Sequence, residues 1–99
     1  MFTGSKYITQ GIKENIPSFL QNILWYLIET MDVQMKDDLQ SFDLFRISED
    51  GKLKQKIVHM QEEPAYRQEY SICSKQFVSG KIFVIDDATI CTMLLASKY

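Results

Sequence analysis

The sequence has few of the residues on which most enzyme active sites depend. Its 99 residues include one histidine, His59, and two cysteines, Cys73 and Cys91, which lack the short spacing of a metal-binding pair. The four glycines are scattered, so there is no glycine-rich loop that could cradle a phosphate. We therefore predict a protein that is not an enzyme and has no catalytic residue, cofactor or bound metal.

Long apolar runs and a strong net charge are also missing. The longest apolar run is far shorter than the roughly 18 residues that a membrane span needs, and the N-terminal end does not resemble a signal peptide. A net charge of −2 gives no basic field for nucleic acid. The 45% hydrophobic and 24% charged content is that of a soluble globule. We expect a single domain over residues 1–99, in the cytoplasm, with reduced and buried cysteines.

The best-defined element is an amphipathic helix predicted over Asn15–Met31. Asn15 is a suitable N-cap whose side chain would accept a hydrogen bond from the Ser18 N–H, and Pro17 falls in the first turn. Apolar residues recur at spacings of three and four, which aligns them on one face of the helix. This stripe consists of Ile16, Phe19, Leu20, Ile23, Leu24, Leu27, Ile28 and Met31.

The opposite face of this helix carries an aromatic residue, Trp25, and little charge. An exposed helix face usually carries several charges, whereas here only Glu29 is charged, which is typical of a covered surface. Either another segment of the same chain covers Trp25, or this face binds a partner, which would be a second copy or another protein. The candidate interface consists of Ser18, Gln21, Asn22, Trp25, Tyr26 and Glu29.

A hairpin is the clearest β-structure in the sequence. Phe42–Ser48 and Lys52–Gln61 are strand-like runs, and Asp50-Gly51 between them tolerates the positive φ angles of a two-residue turn. Such a turn also fixes the register of the two strands. The cross-strand pairs that it predicts on one face are Leu44 with Ile57 and Phe42 with His59.

Other strand-like segments complete a predicted sheet. Lys6–Ile12 predicts a first strand, Ala65–Ile72 an edge strand after a proline, and Lys81–Ile85 a central strand with both faces buried. The segment 88–99 fits either a strand or a helix, and its threonine and isoleucine content favours a strand. The predicted fold class is α+β, with one main amphipathic helix packed on an antiparallel sheet of about four to six strands.

Three lysines at alternate positions line the second face of the hairpin. With the aromatic residues Phe45 and Tyr66 nearby, they resemble a surface that binds nucleic acid, although a solvated edge that prevents sheet extension is the alternative. Weak nucleic-acid binding is therefore the second functional hypothesis, after a cytosolic interaction or regulatory module. The candidate nucleic-acid surface consists of Arg46, Lys52, Lys54 and Lys56.

Four acidic pairs and His59 are the remaining candidates for chemistry. Each pair lies where a turn is expected, and adjacent strand residues point to opposite faces, so solvated turns are favoured over paired catalytic carboxylates. His59 shares its strand face with too few ligands for a metal site, which favours a structural role. Both cysteines have apolar neighbours and are predicted to be small core residues. The acidic pairs are Asp37-Asp38, Glu49-Asp50, Glu62-Glu63 and Asp86-Asp87.

Four stretches of the chain match those of a known family: YITQGI, IPSFLQNILWYLIE, IVHMQEEPAYRQEY and KIFVIDDATICTMLLASKY. On these stretches the chain resembles the domain of unknown function 960 family, which consists of small staphylococcal and related Gram-positive proteins. The resemblance spans nearly the whole chain and implies a small cytoplasmic protein, without implying a catalytic residue or mechanism. A family-like turn would carry a glycine where this chain has Asp86, Asp87 and Ala88.

Overall fold

The fold has two layers, with helices packed on one face of a six-stranded sheet. A computed structural model describes residues 2–99. The predicted α+β class, with one main helix on a sheet, is confirmed. In chain order the elements are β1 (Ser5–Ile8), α1 (Gln10–Asn15), α2 (Ser18–Thr30), β2 (Leu39–Glu49), β3 (Lys52–Gln61), β4 (Tyr66–Ile72), β5 (Gly80–Asp87) and β6 (Ile90–Leu95), followed by a 3₁₀ turn (Ala96–Lys98).

The sheet is mixed, whereas the sequence led us to expect a purely antiparallel one. Its strand order is β1-β6-β5-β2-β3-β4, and β1 pairs parallel to β6 while the other neighbours are antiparallel. A parallel pair needs a long connection, and here most of the chain separates the two strands. The first strand thus enters the sheet beside the last one, a pairing that no local pattern could reveal.

The predicted helix over 15–31 is in fact two helices with a break between them. Ile16 has an extended backbone (φ −117°, ψ 117°), because the residue before a proline is disfavoured in the helical region. Asn15 therefore ends α1 instead of capping α2, and Pro17 takes the cap position of α2 without a side-chain hydrogen bond. The N-cap prediction was wrong for this reason.

The first strand is shorter than predicted because α1 begins within its predicted range. The side chain of Thr9 accepts a hydrogen bond from the Ile12 N–H and so caps α1. As a result β1 ends at Ile8, and Gly11 lies inside the helix. The side chain of Ile12, on α1, is fully buried and belongs to the core that α2 forms with the sheet.

The hairpin prediction is confirmed in both turn and register. Asp50 and Gly51 have φ values of 53° and 77°, as a two-residue turn with positive φ requires. Strand β2 begins at Leu39, three residues before the predicted strand. The pairs formed on the helix-facing side include Leu44 with Ile57 and Phe42 with His59.

The strands after the hairpin are largely as predicted. Strand β4 lies at the sheet edge, β5 lies at its centre, and the segment after Ala88 forms the strand β6 instead of a helix. Ala88 has φ 55°, the left-handed conformation that glycine adopts most readily, at the turn where the family resemblance implied a glycine. The prediction that both faces of β5 are buried was wrong, since Phe83 and Ile85 on the second face remain partly exposed.

The core lies between the two helices and one face of the sheet. Most of the predicted apolar stripe of α2 is buried there, but Phe19 is 42% exposed near the start of the helix. The core residues of the sheet lie on alternate positions of four adjacent strands, as one covered face requires. The principal core residues are Ile12, Ile16, Leu20, Leu24, Leu27, Ile28, Phe42, Leu44, Ile57, Ile82, Val84, Cys91 and Met93.

Candidate protein interface

Trp25 is covered by its own chain. It is only 9% exposed and belongs to the hydrophobic core. Lys6 on β1 lies over the indole, with its Nζ 5.8 Å from the ring centroid, and donates a 2.7 Å hydrogen bond to Glu29. The sequence left open whether another segment of the same chain or a partner covers this tryptophan. In the structure, the same chain covers it. Trp25 is therefore not the exposed centre of an interface.

The remaining residues of the candidate helix surface are polar or solvated. Tyr26 is 61% exposed, and Ser18 and Asn22 are exposed as well. The Gln21 side chain donates to the Ile16 carbonyl, so it is occupied in closing the start of α2. The hydrogen bond and charge of the neighbouring lysine, Lys6, lower the pKa of Glu29. This surface contains a single exposed aromatic residue and no continuous apolar patch.

The lysine stripe of the hairpin is largely paired with carboxylates. Lys54 lies 2.8 Å from Glu49, and Lys56 lies 3.0 Å from Glu69. The hydrogen bond to Glu49 raises the pKa of Lys54. Lys52 is exposed. Arg46 is exposed too, but it pairs in register with Gln55 and so lies on the helix-facing side, away from the lysines, and its inclusion in this surface was wrong. Because two of its three lysines already have partners, the stripe offers a phosphate backbone less free positive charge than the sequence suggested.

Tyr66, the second aromatic residue of that candidate surface, does not lie beside the lysines. It pairs in register with Gln61, whose side chain is on the helix-facing side of the sheet, and its ring packs edge-on against His59 at 5.2 Å. Burial, followed by a hydrogen bond with Tyr70, raises the pKa of Tyr66 to about 12. Phe45 is on the same side as the lysines and is 40% exposed.

His59 is a structural residue held in a buried network of glutamines. Its Nε2 lies 2.7 Å from Gln40 Oε1, and its ring stacks on Phe42 with the centroids 4.4 Å apart. Gln40 Nε2 in turn donates to Gln61 Oε1 at 2.7 Å. Gln61 Nε2 donates to the carbonyls of Met35 and Pro64, so the network joins two loops to the sheet.

The donors and acceptors of this network assign the tautomer of His59. Because the amide nitrogen of Gln40 donates to two oxygens, its oxygen faces the histidine and must accept a proton from Nε2. Nδ1 is therefore the unprotonated nitrogen, and it receives no hydrogen bond from residues 2–99. Burial lowers the pKa of His59 to about 4, so the ring is neutral at physiological pH.

The two cysteines differ in exposure. Cys91 is fully buried, its Sγ lies 3.8 Å from Asp86 Oδ1, and burial raises the pKa of its thiol, in agreement with the predicted core role. Cys73 is exposed, so the prediction of a buried thiol was wrong there. It follows β4 in a loop that returns the chain to β5, where apolar sequence neighbours do not mean apolar surroundings.

The acidic pairs lie mostly at turns and loops, as expected. Two of their members hold structure in place. Asp37 accepts hydrogen bonds from the backbone N–H groups of Leu39 and Glu63, which ties the loop before β2 to the turn after β3. Asp86 is nearly buried on the helix-facing side of β5, beside Cys91. No group of three or more His, Cys, Asp or Glu side chains in residues 2–99 is placed to hold a metal ion.

The second face of the sheet has neither α1 nor α2 packed on it. We call it the open face and define it by the side chains of the sheet that point away from α1 and α2. At its centre, Phe83 and Ile85 of β5 lie beside Leu94 and Thr92 of β6, and all four are partly exposed. Tyr99 packs edge-on against Phe83 at 5.2 Å. The open face therefore has an apolar centre.

A cleft of about 700 Å³ lies on the β2–β3 side of this apolar centre. Leu39, Met60 and Phe83 are among its apolar lining residues, and the cations Arg67 and Lys81 line it as well. Lys81 Nζ is 3.7 Å from Asp43, while Arg67 forms an ion pair with Glu69. The open face thus combines the apolar centre and charged edge that protein interfaces share.

A two-layer α+β domain with a mixed sheet and a partly apolar open face is the class of protein that these features define. The model of the family described as staphylococcal protein of unknown function (DUF960) matches residues 5–98, and the chain belongs to that family. The chain is also similar to a solved structure, the crystal structure of a protein of unknown function from Enterococcus faecalis. The two share 27% sequence identity and a TM-score of 0.75, over 97% of this chain and 91% of that one.

The remaining comparisons add little about function. No curated protein matches the chain. In residues 2–99, neither helix has the length and apolar character needed to cross a membrane.

Proposed function

We propose that this protein is a non-enzymatic interaction module that binds a protein partner through the open face of its sheet. One observation carries the proposal. Phe83, Ile85 and Leu94 lie on the face away from the helices, where a sheet covered on one side normally presents polar residues. Apolar side chains that stay in contact with water do not gain the free energy of burial. A partner that covered them would supply that free energy.

The open face is a better candidate than the outer face of α2, which the sequence favoured. The case for the helix surface rests on Trp25, and that residue is already buried in the core. Of its other members, Glu29 is paired with Lys6, and the Gln21 side chain donates to the Ile16 carbonyl before α2. Tyr26 remains the one exposed aromatic residue among them, whereas the centre of the open face groups several apolar side chains.

The state of the nucleophilic and basic residues supports a non-enzymatic role in the cytoplasm. His59 is fully buried and committed to Gln40, so it is not available to a substrate. Cys91 is buried in the core. The presence of free thiols on both Cys73 and Cys91 is what a reducing compartment allows.

Nucleic-acid binding has weaker support because Lys54 and Lys56 are paired with carboxylates. A protein that bound phosphates through this stripe would be retained on heparin at low salt and released as the salt concentration rises. We expect the purified protein to pass through such a resin at low salt. Retention that is lost in Lys52→Glu would instead favour the nucleic-acid function.

Site-specific photo-crosslinking in cells of the native host tests the proposal. A benzophenone amino acid replaces Phe83 on the open face in one variant and Tyr26 on α2 in a second, so that both exchanges keep an aromatic side chain. We expect a protein adduct at position 83 and none at position 26. An adduct confined to position 26 would return the interface to the helix, and the absence of adducts at both positions would contradict an interaction module.

A further inference from the structure

The strand β5 carries a pattern on the open face that is complementary to itself. Because β5 alternates between faces, the side chains that it presents there are Lys81, Phe83, Ile85 and Asp87. The order is therefore cation, apolar, apolar, anion. In a second copy of β5 that runs in the opposite direction, the order is anion, apolar, apolar, cation. Each cation of one strand then faces an anion of the other, and the apolar residues face each other.

From this pattern we propose that the partner is a second copy of this chain, with the two open faces stacked and their β5 strands antiparallel about a two-fold axis. The inference rests on the proposed function and names its partner. In this arrangement Lys81 lies over the partner's Asp87, and Phe83 over the partner's Ile85. Each contact occurs twice because the interface is isologous.

The strand β6, which lies beside β5, extends the same complementarity. Leu94 lies beside Phe83 and Thr92 beside Ile85 in the register of β5 and β6. Stacking antiparallel sheets about 10 Å apart brings Leu94 over the partner's Thr92, so apolar and uncharged groups meet in the middle of the interface. The charges of Lys81 and Asp87 remain at its ends, where exposed ion pairs set the orientation of two surfaces.

The state of the charges on the open face fits this arrangement. Lys81 Nζ lies 3.7 Å from Asp43 Oδ1, which is too far for a hydrogen bond. The N–H groups of its ammonium could therefore donate to a carboxylate of a partner that came closer. By contrast, Lys56 is held by Glu69 at 3.0 Å within the same chain. The β3–β4 side of the open face therefore adds no unpaired block of one charge that would repel an identical surface.

The molecule as a whole is large enough to form a standard interface. It measures 43 × 30 × 20 Å. A standard protein interface buries roughly 800 Å² per partner.

Charge reversal on the two ends of β5 tests the proposal. Sedimentation velocity over a range of concentrations gives the dimer dissociation constant of the parent protein, of Lys81→Asp, of Asp87→Lys and of the double variant. Each single reversal places like charges together twice, so we expect at least a roughly tenfold rise in Kd. The double variant restores both pairs with exchanged signs, and its Kd should return to within about threefold of the parent value.

The controls separate interface effects from general charge or folding effects. Lys75→Asp, in the exposed loop before β5, changes the net charge by the same amount and should leave Kd unchanged. The intrachain effect of Lys81→Asp on Asp43 is present in monomer and dimer alike, so it cancels in Kd. The fluorescence of the buried Trp25 and a thermal melt report whether each variant remains folded.

Each result bears on the proposal directly. Loss of dimer in both single variants and its recovery in the double variant would support the antiparallel stack. A parent protein that is monomeric at every concentration, or a dimer that Lys81→Asp does not weaken, or a double variant that does not recover, would overturn it. The crosslinked species at position 83 distinguishes the two proposals. An adduct with the mass of two copies fits the dimer, whereas an adduct with another protein would refute the dimer and leave the interaction module intact.

Discussion

The buried histidine makes the stability of this fold depend on pH in a range where few other groups titrate. His59 has an ordinary pKa near 6.5, and burial lowers it to about 4 in the folded protein. Protonation would put a charge beside Phe42 and create an N–H at Nδ1 with no acceptor among residues 2–99. The folded state therefore resists a proton that the unfolded chain binds readily.

The sign and size of the effect follow from this difference. Above pH 6.5 the histidine is neutral in both states and contributes no pH dependence. Between pH 6.5 and 4 the unfolded chain binds one more proton than the folded protein, so stability falls as the pH falls. At about 1.4 kcal/mol for each pH unit, the loss is about 2 kcal/mol between pH 7 and 5, and about 3 kcal/mol in total.

The carboxylates act mainly below this range. Glu29, Glu49 and Glu69 have pKa values lowered below 4.5 by hydrogen bonds and charges from neighbouring cations. Their contributions are therefore present above pH 4.5 and are lost as the pH falls through the lowered values. All three side chains are between 41% and 50% exposed, so each ion pair adds little stability. The range from pH 7 to 5 thus isolates the histidine.

Urea unfolding followed by Trp25 fluorescence at pH 7, 6 and 5 measures the effect. The matched control is His59→Gln, whose amide nitrogen can still donate to Gln40 Oε1 but does not titrate. We expect the parent protein to lose about 2 kcal/mol between pH 7 and 5, and the variant to lose almost none. Equal slopes for the two proteins would refute the assignment of His59 as the buried neutral group that controls this dependence.

Three further predictions concern Trp25, the two cysteines and Ala88. Trp25→Ala should lower the free energy of unfolding by about 3–5 kcal/mol in urea, whereas Tyr26→Ala on the same helix should change it by less than about 0.5. In the folded protein a thiol reagent should modify Cys73 at once and Cys91 only after denaturant is added; equal rates would contradict the burial of Cys91. Ala88→Gly should raise stability by about 0.5–1 kcal/mol, measured as a higher urea midpoint, because it relieves a positive φ; a lower midpoint would count against this.

The parts of the fold that could be predicted are those set by short-range patterns. The positive φ values of Asp50 and Gly51 fix a two-residue turn, and the turn fixes the register that pairs Leu44 with Ile57. The apolar stripe of α2 is equally local, because its period follows from the helix geometry alone. In each case neighbouring residues determine the outcome, so no knowledge of the rest of the chain is needed.

The errors at the first helix concern local signals. Asn15 and Pro17 resemble a helix start, whereas in the structure Thr9 caps α1 and Asn15 ends it. The rule that a residue before proline avoids the helical region would have placed a break at Ile16. Sequence information was therefore sufficient here, although the cap at Thr9 competes with a β-rich segment that also favours a strand.

Other features depend on residues far apart in the chain and leave little trace in the sequence. Lys6 lies over Trp25 only because β1 joins the sheet beside β6, a parallel pairing between the two ends of the chain. Gln40 and Gln61 are buried because each completes the hydrogen bonds of the other, and a predicted strand that began at Phe42 could not include the first of them. Polar residues of this kind are normally assigned to loops or solvent.

The wrong prediction that both faces of β5 are buried is connected to the proposed function. Apolar residues at both parities, such as Ile82 and Phe83, indicated a strand buried on both sides, and in the isolated chain only the side of Ile82 is buried. A pattern of this kind records which faces are covered in the state in which the protein functions, and it does not distinguish a covering helix from a covering partner. The second face of β5 begins and ends with opposite charges at Lys81 and Asp87. If the two charge reversals act as proposed, the error concerned only which chain supplies the cover.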